Sequence, residues 1–283
     1  MRYLGLLAGI GLLLAVAGGA MATTYNIEHS HSNGNTPGGG SGNWLTYNGT
    51  SYANPFVGRF AMEPRPNTTY PAILPANYPI YQVSAVHGIE MGFFSYCLEP
   101  DQPIGVGHGT SFQYPFTIGA LAGSDGISGT SLGAFAGASE ANLIEELFGR
   151  YNPLLSADPT GPYSGGTYRT AAMALQLAIW KINLDAGTET LGGWDFGSGL
   201  VRVNSALVNY ESTGSPSAKF DAVALAMLNS LTGTGPKAYG LEGLRNPTYQ
   251  DLIIQSIPEP VTMAGLMLGI GSVVTYVRKR RTA

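Results

Sequence analysis

The chain contains 283 residues, of which 40 are glycine, 18 are proline and one is cysteine, and its formal net charge is −4. A chain of this length holds one domain with short appended segments rather than two full domains, and its glycine and proline content predicts many turns. Five of the 14 basic residues lie within the first two or last six positions. The chain between them is therefore acidic, at about −8, which argues against a nucleic-acid partner because no basic surface remains.

Residues 1–22 are typical of a secretory signal peptide. Arg2 precedes an apolar run at positions 4–17, and the small residues Ala20 and Ala22 form an A-x-A cleavage site before Thr23. An uncleaved membrane anchor is the alternative interpretation. The small-residue site favours cleavage and export.

Residues 23–42 are rich in His, Ser, Asn, Gly and Pro and contain almost no apolar side chains. This composition predicts a flexible arm ahead of the domain. His29 and His31 lie two positions apart in this arm, and we interpret them as linker residues rather than as metal ligands. No metal ion and no other cofactor is predicted for this protein.

Residues 43–257 are predicted to form the ectodomain. Runs of aromatic and β-branched residues between Asn, Gly and Pro turns predict short strands, and apolar residues at three- and four-residue spacing predict helices. The order of these elements predicts an α+β domain whose last strand pairs with the early ones. The predicted strands are 44–52, 56–62, 80–86, 91–98, 112–118 and 251–255, and the predicted helices are 139–148, 167–183 and 217–231.

The helix predicted at 167–183 carries a carboxamide in the middle of its apolar stripe. On a helical wheel, apolar side chains lie within about 60° of Gln176 on both sides, namely Ala172, Met173, Ile179 and Trp180. A carboxamide is costly to bury unless its hydrogen bonds are satisfied or its chemistry is altered. Gln176 therefore either bonds to the backbone of a neighbouring strand or reacts with another side chain.

The only cysteine, Cys97, lies in the strand predicted at 91–98. In an exported protein a lone thiol is exposed to oxidation, so it must be buried, paired with another chain or chemically consumed. Condensation of this thiol with the Gln176 carboxamide, with loss of ammonia, would consume it in an internal thioester. An inert cysteine packed in the strand is the alternative.

Two short motifs resemble those of the Cys-Gln thioester domains of bacterial surface proteins. They are the step Tyr-Cys-Leu at 96–98 and the helical run Leu-Gln-Leu-Ala-Ile-Trp at 175–180. Leu175 stands where that family usually has threonine. The resemblance implies a β core, sandwich-like or barrel-like, with a helical insertion between the Cys strand and the Gln helix.

The resemblance also implies what the site does. An amine or hydroxyl on a surface protein or polysaccharide would attack the Gln176 carbonyl and release the Cys97 thiol, which makes the protein a single-use adhesin and not an enzyme. His87 and His108 flank Cys97 in the sequence, but neither is singled out as the group that moves protons. The side chains expected to keep water from the bond are Phe93, Phe94, Tyr96, Ala178, Ile179 and Trp180.

Residues 258–283 combine a short motif, an apolar run and a basic tail. By itself, the run at 261–277 predicts a transmembrane helix with the basic cluster on the cytoplasmic side, which would anchor the chain permanently. The order of motif, apolar run and basic tail resembles the PEP-CTERM sorting signal. This resemblance implies that the chain is held temporarily in the inner membrane, processed by an exosortase, and released to the cell surface or extracellular matrix. The residues of this signal are Pro258, Glu259, Pro260, Arg278, Lys279, Arg280 and Arg281.

Two other classes of protein remain open. Residues 129–133 match the G-x-S-x-G motif of α/β-hydrolases, but those enzymes place a histidine after the serine, and the last histidine here is His108. A hydrolase that pairs Cys97 with His87 or His108 has no local motif to support it. The main alternative is a passive surface protein, associated with exopolysaccharide or binding carbohydrate, in which Cys97 and Gln176 only pack.

Overall fold

A computed structural model describes residues 24–35, 43–52, 57–72, 81–84, 90–101, 105, 109–124, 127, 129, 138–156, 166–204 and 220–256. Within these ranges the chain forms ten β-strands, three α-helices and a 3-10 turn at Thr110–Phe112. The strands are β1 (Thr24–Asn35), β2 (Leu45–Tyr47), β3 (Thr50–Tyr52), β4 (Val57–Pro64), β5 (Tyr81–Ser84), β6 (Glu90–Cys97), β7 (Gln113–Ala120), β8 (Val201–Val203), β9 (Leu241–Arg245) and β10 (Leu252–Gln255). The helices are α1 (Glu140–Ser156), α2 (Gly166–Asp185) and α3 (Phe220–Asn229).

The core of the domain is an antiparallel barrel. Seven strands follow the order β10-β9-β7-β1-β4-β6-β5, and a further pairing of β10 with β6 closes six of them into a ring. In that closing pair, Leu252 lies opposite Cys97 and Ile253 lies opposite Tyr96. Closure gives each of the six strands a partner on both sides, which satisfies their backbone hydrogen bonds. The α+β class with a barrel-like core is thus confirmed.

The first strand corrects the prediction of a flexible arm. Thr24–Asn35 is β1, which pairs with both β4 and β7 in the barrel. Its buried Asn26 donates from Nδ2 to Arg65 O at 2.6 Å and to Gln113 Oε1 at 2.8 Å. The polar composition of this segment predicted an arm because the strand is held by backbone pairing and by distant side-chain partners. Neither can be recognised from neighbouring residues in the sequence. Residues 36–42 lie outside the described ranges.

A hairpin replaces the single strand predicted at 44–52. Strands β2 and β3 pair around Asn48 and Gly49, whose φ angles are 48° and 78°. Positive φ angles at both central residues identify a type I′ turn. The backbone twist of this turn matches the twist of the two strands that it joins. Strand β8 pairs with the other side of β2 and completes a separate three-stranded sheet.

Helix α2 is the central helix of the domain. It contacts β1, β4, β6, β8 and both other helices, and every residue from 172 to 183 is buried. A helix that is apolar on nearly all sides belongs inside a domain rather than on its surface. Helix α1 runs to Ser156, beyond its predicted end at 148, and Asn142 N donates to the capping Ser139 Oγ at 3.2 Å.

The insertion between the Cys strand and the Gln helix is only partly helical. After β6 the chain first adds β7 to the barrel and then forms α1. Strand β9 was not predicted, and its two glycine-flanked leucines give only a weak strand pattern. Over the ranges described, no helix is both long and apolar enough to span a membrane. The predicted signal peptide at 1–22 and transmembrane helix at 261–277 lie outside those ranges.

Candidate functional site

Cys97 is the last residue of β6, and its side chain is fully buried. On one side of β6, pairing with β10 continues to Cys97, and Leu98 N donates to Asp251 O at 3.0 Å. On the other side, pairing with β4 stops at Ser95, which lies opposite Phe60. The backbone N–H and C=O of Cys97 therefore lie beyond the point where β4 pairs, and buried backbone groups need a partner.

The side chain of Gln176 supplies that partner. Gln176 lies in the buried part of α2 and is itself fully buried. Its Oε1 accepts a hydrogen bond from Cys97 N at 2.8 Å, and its Nε2 donates to Cys97 O at 2.7 Å. The carboxamide thus takes the place that a paired strand residue would occupy.

These two hydrogen bonds close a ring. The ring runs through N, Cα, C and O of Cys97 and through Oε1, Cδ and Nε2 of Gln176. The carboxamide carbon therefore faces the Cα that carries the thiol. This contact is the bond to a neighbouring strand that one interpretation of Gln176 requires, and it also brings the carboxamide next to the residue that carries the thiol.

The aromatic residues predicted to line the site divide between the two faces of β6. Because alternate side chains of a strand point to opposite faces, Phe93 shares the face of Cys97, whereas Phe94 and Tyr96 belong to the other face. Tyr96 packs edge-on against Phe148 of α1, with ring centroids 5.5 Å apart. The predicted aromatic wall around the thiol is therefore reduced to Phe93 on this strand.

The predicted lining residues of α2 also divide. Ile179 and Trp180 lie within about 60° of Gln176 around the helix axis, whereas Ala178 lies about 160° away. All three are buried. Ile179 and Trp180 therefore share the face of the helix that carries Gln176, and Ala178 belongs to the opposite face.

The buried thiol holds its proton firmly. Burial raises the pKa of the Cys97 thiol well above its ordinary value, and the negative charge of nearby Glu99 raises it further. A thiolate, rather than a thiol, is the form that attacks a carbonyl carbon. Any reaction at Cys97 therefore needs a group that accepts its proton.

Two further carboxamides hold the chain just after Cys97. Asn183 Nδ2, two turns beyond Gln176 on α2, donates to Leu98 O at 2.9 Å. Gln250 Nε2, from the segment before β10, donates to Glu99 O. No local signal in the sequence pointed to Gln250. The backbone at 97–99 is thus fixed at each residue by a side-chain amide.

A buried ion cluster at the end of α2 was also missed. Lys181 Nζ, fully buried, lies 2.8 Å from Asp185 Oδ2 and 2.9 Å from Glu189 Oε1. It also donates to Ser198 O at 2.9 Å and Val201 O at 3.3 Å. The one signal in the sequence was a lysine inside an apolar helical run. With four acceptors around one ammonium group, the cluster fixes the end of α2 against the chain that follows.

Several predicted features fall outside the described residues. These are His87 and His108, most of the 129–133 motif, and the sorting signal at 258–283. Within the part of the chain that is described, no three or more His, Cys, Asp and Glu side chains are grouped to hold a metal ion.

No protein-family model matches the sequence, and no curated protein matches it. Among solved structures, the chain is similar to a thioester domain. That structure is the N-terminal thioester domain of a surface protein from Clostridium perfringens, with a TM-score of 0.35 and 10% identity over 83% of this chain and 100% of that chain.

Proposed function

We propose that the protein is an exported cell-surface or extracellular-matrix protein in which Cys97 and Gln176 form an internal thioester. The thioester would attach the protein once, covalently, to an amine or hydroxyl group of a partner. The supporting observation is the pair of hydrogen bonds that holds the Gln176 carboxamide against the residue carrying the chain's only thiol. Two groups that the fold aligns for reaction gain an effective concentration on the order of 10⁵ M or more, which is what thioester formation needs from this site.

Bond formation exchanges nitrogen for sulfur. Cys97 Sγ attacks Cδ of Gln176, the Cδ–Nε2 bond breaks, and the nitrogen takes up the proton that the thiol loses and leaves as ammonia. Cys97 N–H, which donates to Oε1 at 2.8 Å, is placed to stabilise the negative charge that develops on this oxygen. The same donor would act again when a nucleophile attacks the finished thioester.

Attachment reverses the exchange with a different nucleophile. An amine or hydroxyl of a surface protein or polysaccharide attacks the Gln176 carbonyl, the bond to sulfur breaks, and the thiol takes up the proton that the nucleophile loses. The product is an amide or ester bond to the partner. We expect each molecule to react once.

Export and sorting complete the proposal. The signal peptide at 1–22 would direct secretion, and the segment 258–283 would hold the chain in the inner membrane until an exosortase processes it near Pro258. Cells lacking the exosortase should retain the unprocessed chain in their inner-membrane fraction. Recovery of processed protein from such cells would contradict the sorting step.

The intact mass of the mature protein tests the thioester. We expect a mass lower than that of the sequence by one ammonia, an increase by one methylamine after treatment with that amine, and loss of both effects in Cys97→Ala. A full mass with one titratable thiol would instead support the passive surface protein. That alternative is favoured by one observation, which is that both polar atoms of Gln176 already have partners in the backbone of Cys97.

A further inference from the structure

The ammonium group of Lys181 is surrounded by more acceptors than it has hydrogens. Its Nζ is fully buried and lies within 3.3 Å of four oxygen atoms. Hydrogen bonds to Asp185 Oδ2, Ser198 O and Val201 O use all three of its N–H groups. Glu189 Oε1 is the fourth oxygen, 2.9 Å from Nζ. The Glu189 carboxylate therefore contacts the nitrogen although the three hydrogens are already shared with other acceptors.

The two carboxylates of this cluster are held differently. Asp185 also accepts hydrogen bonds from Leu200 N at 2.5 Å and Val201 N at 2.9 Å, so it fixes the backbone that leads into β8. Within the described ranges, the one polar partner of the Glu189 carboxylate is Lys181. Conversion of Glu189 to an amide would thus disturb no backbone hydrogen bond, whereas conversion of Asp185 would.

We propose that Lys181 and Glu189 condense into an isopeptide bond, an amide between Nζ and the side-chain carbon Cδ, with loss of one water. A carboxyl carbon lies about 1.2 Å from its oxygen, so Nζ is at most about 4.1 Å from Cδ before reaction. Two groups that a fold holds this close gain the advantage of an intramolecular reaction. The inference goes beyond the proposed function and does not depend on the thioester.

Each step balances in atoms and charge. The Lys181 ammonium gives one proton to Glu189 Oε1, which leaves a neutral amine beside a carboxylic acid. Nζ adds to Cδ, and Asp185 Oδ2, 2.8 Å from Nζ, takes a second proton from the nitrogen. Asp185 gives this proton to the departing hydroxyl group, which leaves as water while the amide C=O forms. One ammonium and two carboxylates become one carboxylate, so the net charge of the cluster is unchanged.

Burial favours the condensed form of the cluster. The exposed fractions are 0% for Lys181, 1% for Asp185 and 8% for Glu189. Charges are costly to keep in a dry interior, and the amide replaces an ammonium and a carboxylate by one neutral group. Glu189 is the least buried of the three side chains, so the released water leaves on its side.

The bond would join α2 covalently to the turn that follows it. Asp185 is the last residue of α2, and Glu189 lies four positions further along the chain. A disulfide within the chain is impossible because it has one cysteine. An amide is the covalent cross-link that the side chains at this end of the helix can form.

Trypsin digestion after unfolding tests the bond directly. Trypsin cleaves after lysine and arginine, but not after a lysine whose Nζ is in an amide, and Arg169, Lys181 and Arg202 are consecutive cleavage sites. We expect one peptide, 170–202, with a mass lower by one water, in place of peptides 170–181 and 182–202. The digest uses folded, purified Cys97→Ala protein, in which no thioester can alter the peptide that contains Gln176.

The controls separate the amide from other effects. Lys181→Arg keeps the charge and the cleavage site without the amine, and Glu189→Ala removes the carboxyl group, so both should give two peptides at full mass. Asp185→Asn removes the proton carrier and should leave most of the protein unlinked. Lys237, partly exposed and 3.5 Å from Glu145 Oε2, should be cleaved in every sample. Thermal unfolding shows that each variant is folded.

Three outcomes would overturn the inference, and the first two need no variant at the cluster. They are peptides 170–181 and 182–202 at full mass, and loss of water with normal cleavage after Lys181. The third is a set of fragment ions that places the link at Asp185 instead of Glu189. Wild-type intact mass keeps this question apart from the thioester, because loss of water alone supports only the isopeptide bond and loss of ammonia alone supports only the thioester.

Discussion

Asn183 and Leu98, 85 positions apart in the sequence, are joined by a hydrogen bond in which Asn183 Nδ2 donates to Leu98 O at 2.9 Å. Gln176 lies two turns earlier on the same side of α2 and binds the backbone of Cys97. Helix α2 is therefore attached to the end of β6 by polar side chains as well as by apolar packing. This attachment places the residue that carries the chain's only thiol beside a carboxamide.

The hydrogen bonds of Gln176 should contribute to stability even without a thioester. In a Cys97→Ala background, Gln176→Ala should lower the free energy of unfolding by about 2–4 kcal/mol, because the buried N–H and C=O of residue 97 lose their partners. Urea denaturation of the single and double variants gives the difference. A loss under about 1 kcal/mol would mean that these bonds do not hold the end of the strand.

The buried cation of the α2 cluster should be essential for stability. Lys181→Met leaves the carboxylates of Asp185 and Glu189 buried without their counter-ion, and we expect a loss of about 3–5 kcal/mol in urea denaturation. The matched control is Lys237→Met, because the Lys237 ammonium is partly exposed and lies 3.5 Å from Glu145 Oε2. The free energy of unfolding of Lys237→Met should fall by less than about 1 kcal/mol. Similar losses in the two variants would contradict this account.

Glu146 should make the stability of the fold depend on pH. Burial alone would raise the pKa of its carboxyl group, but hydrogen bonds from Thr232 and Arg150 outweigh burial and hold the pKa below its ordinary value. A lowered pKa in the folded state stabilises the fold above the unfolded pKa, and this stabilisation is lost as pH falls through the folded value.

The difference in unfolding free energy between wild type and Glu146→Gln should therefore be about 1–3 kcal/mol at neutral pH. It should shrink as pH falls below about 4.3. Urea denaturation of both proteins across this range checks the direction. A difference that grows in acid would show that burial, and not hydrogen bonding, dominates at this carboxyl group.

The hairpin turn between β2 and β3 should depend on the backbone of Gly49. Its φ is 78°, and no atom lies within 4 Å of the position that a Cβ would occupy, so the cost of Gly49→Ala is one of backbone strain alone. We expect a loss of about 1 kcal/mol. Gly187→Ala is the matched control, because Gly187 has the same open surroundings without a positive φ. Thermal unfolding of the two variants should show a lower midpoint only for Gly49→Ala.

Part of the site was visible in the sequence because its pattern is local. A carboxamide inside an apolar helical stripe signals a buried polar group, and an aromatic run ending at a proline signals a strand. Gln250 gave no such signal, because its importance comes from where the chain places it, beside the carbonyl oxygen of Glu99. The prediction of an arm before residue 43 was wrong for Thr24–Asn35 because a strand can be stabilised by backbone pairing and distant polar partners.

The sequence by itself determined the three helices, most of the barrel strands, and the two residues whose chemistry deserves testing. The helices, the strands and Gln176 follow from side-chain periodicity and turn residues, which act over a few positions, whereas Cys97 was singled out as the only cysteine. The sequence also predicted that the last strand pairs with an early one, as β10 does. Only the tertiary structure decided that this early strand is β6, that β4 stops pairing at Ser95, and that Gln176 fills the resulting gap beside Cys97. The reason is that the need for a partner at Cys97 arises only where three distant segments meet.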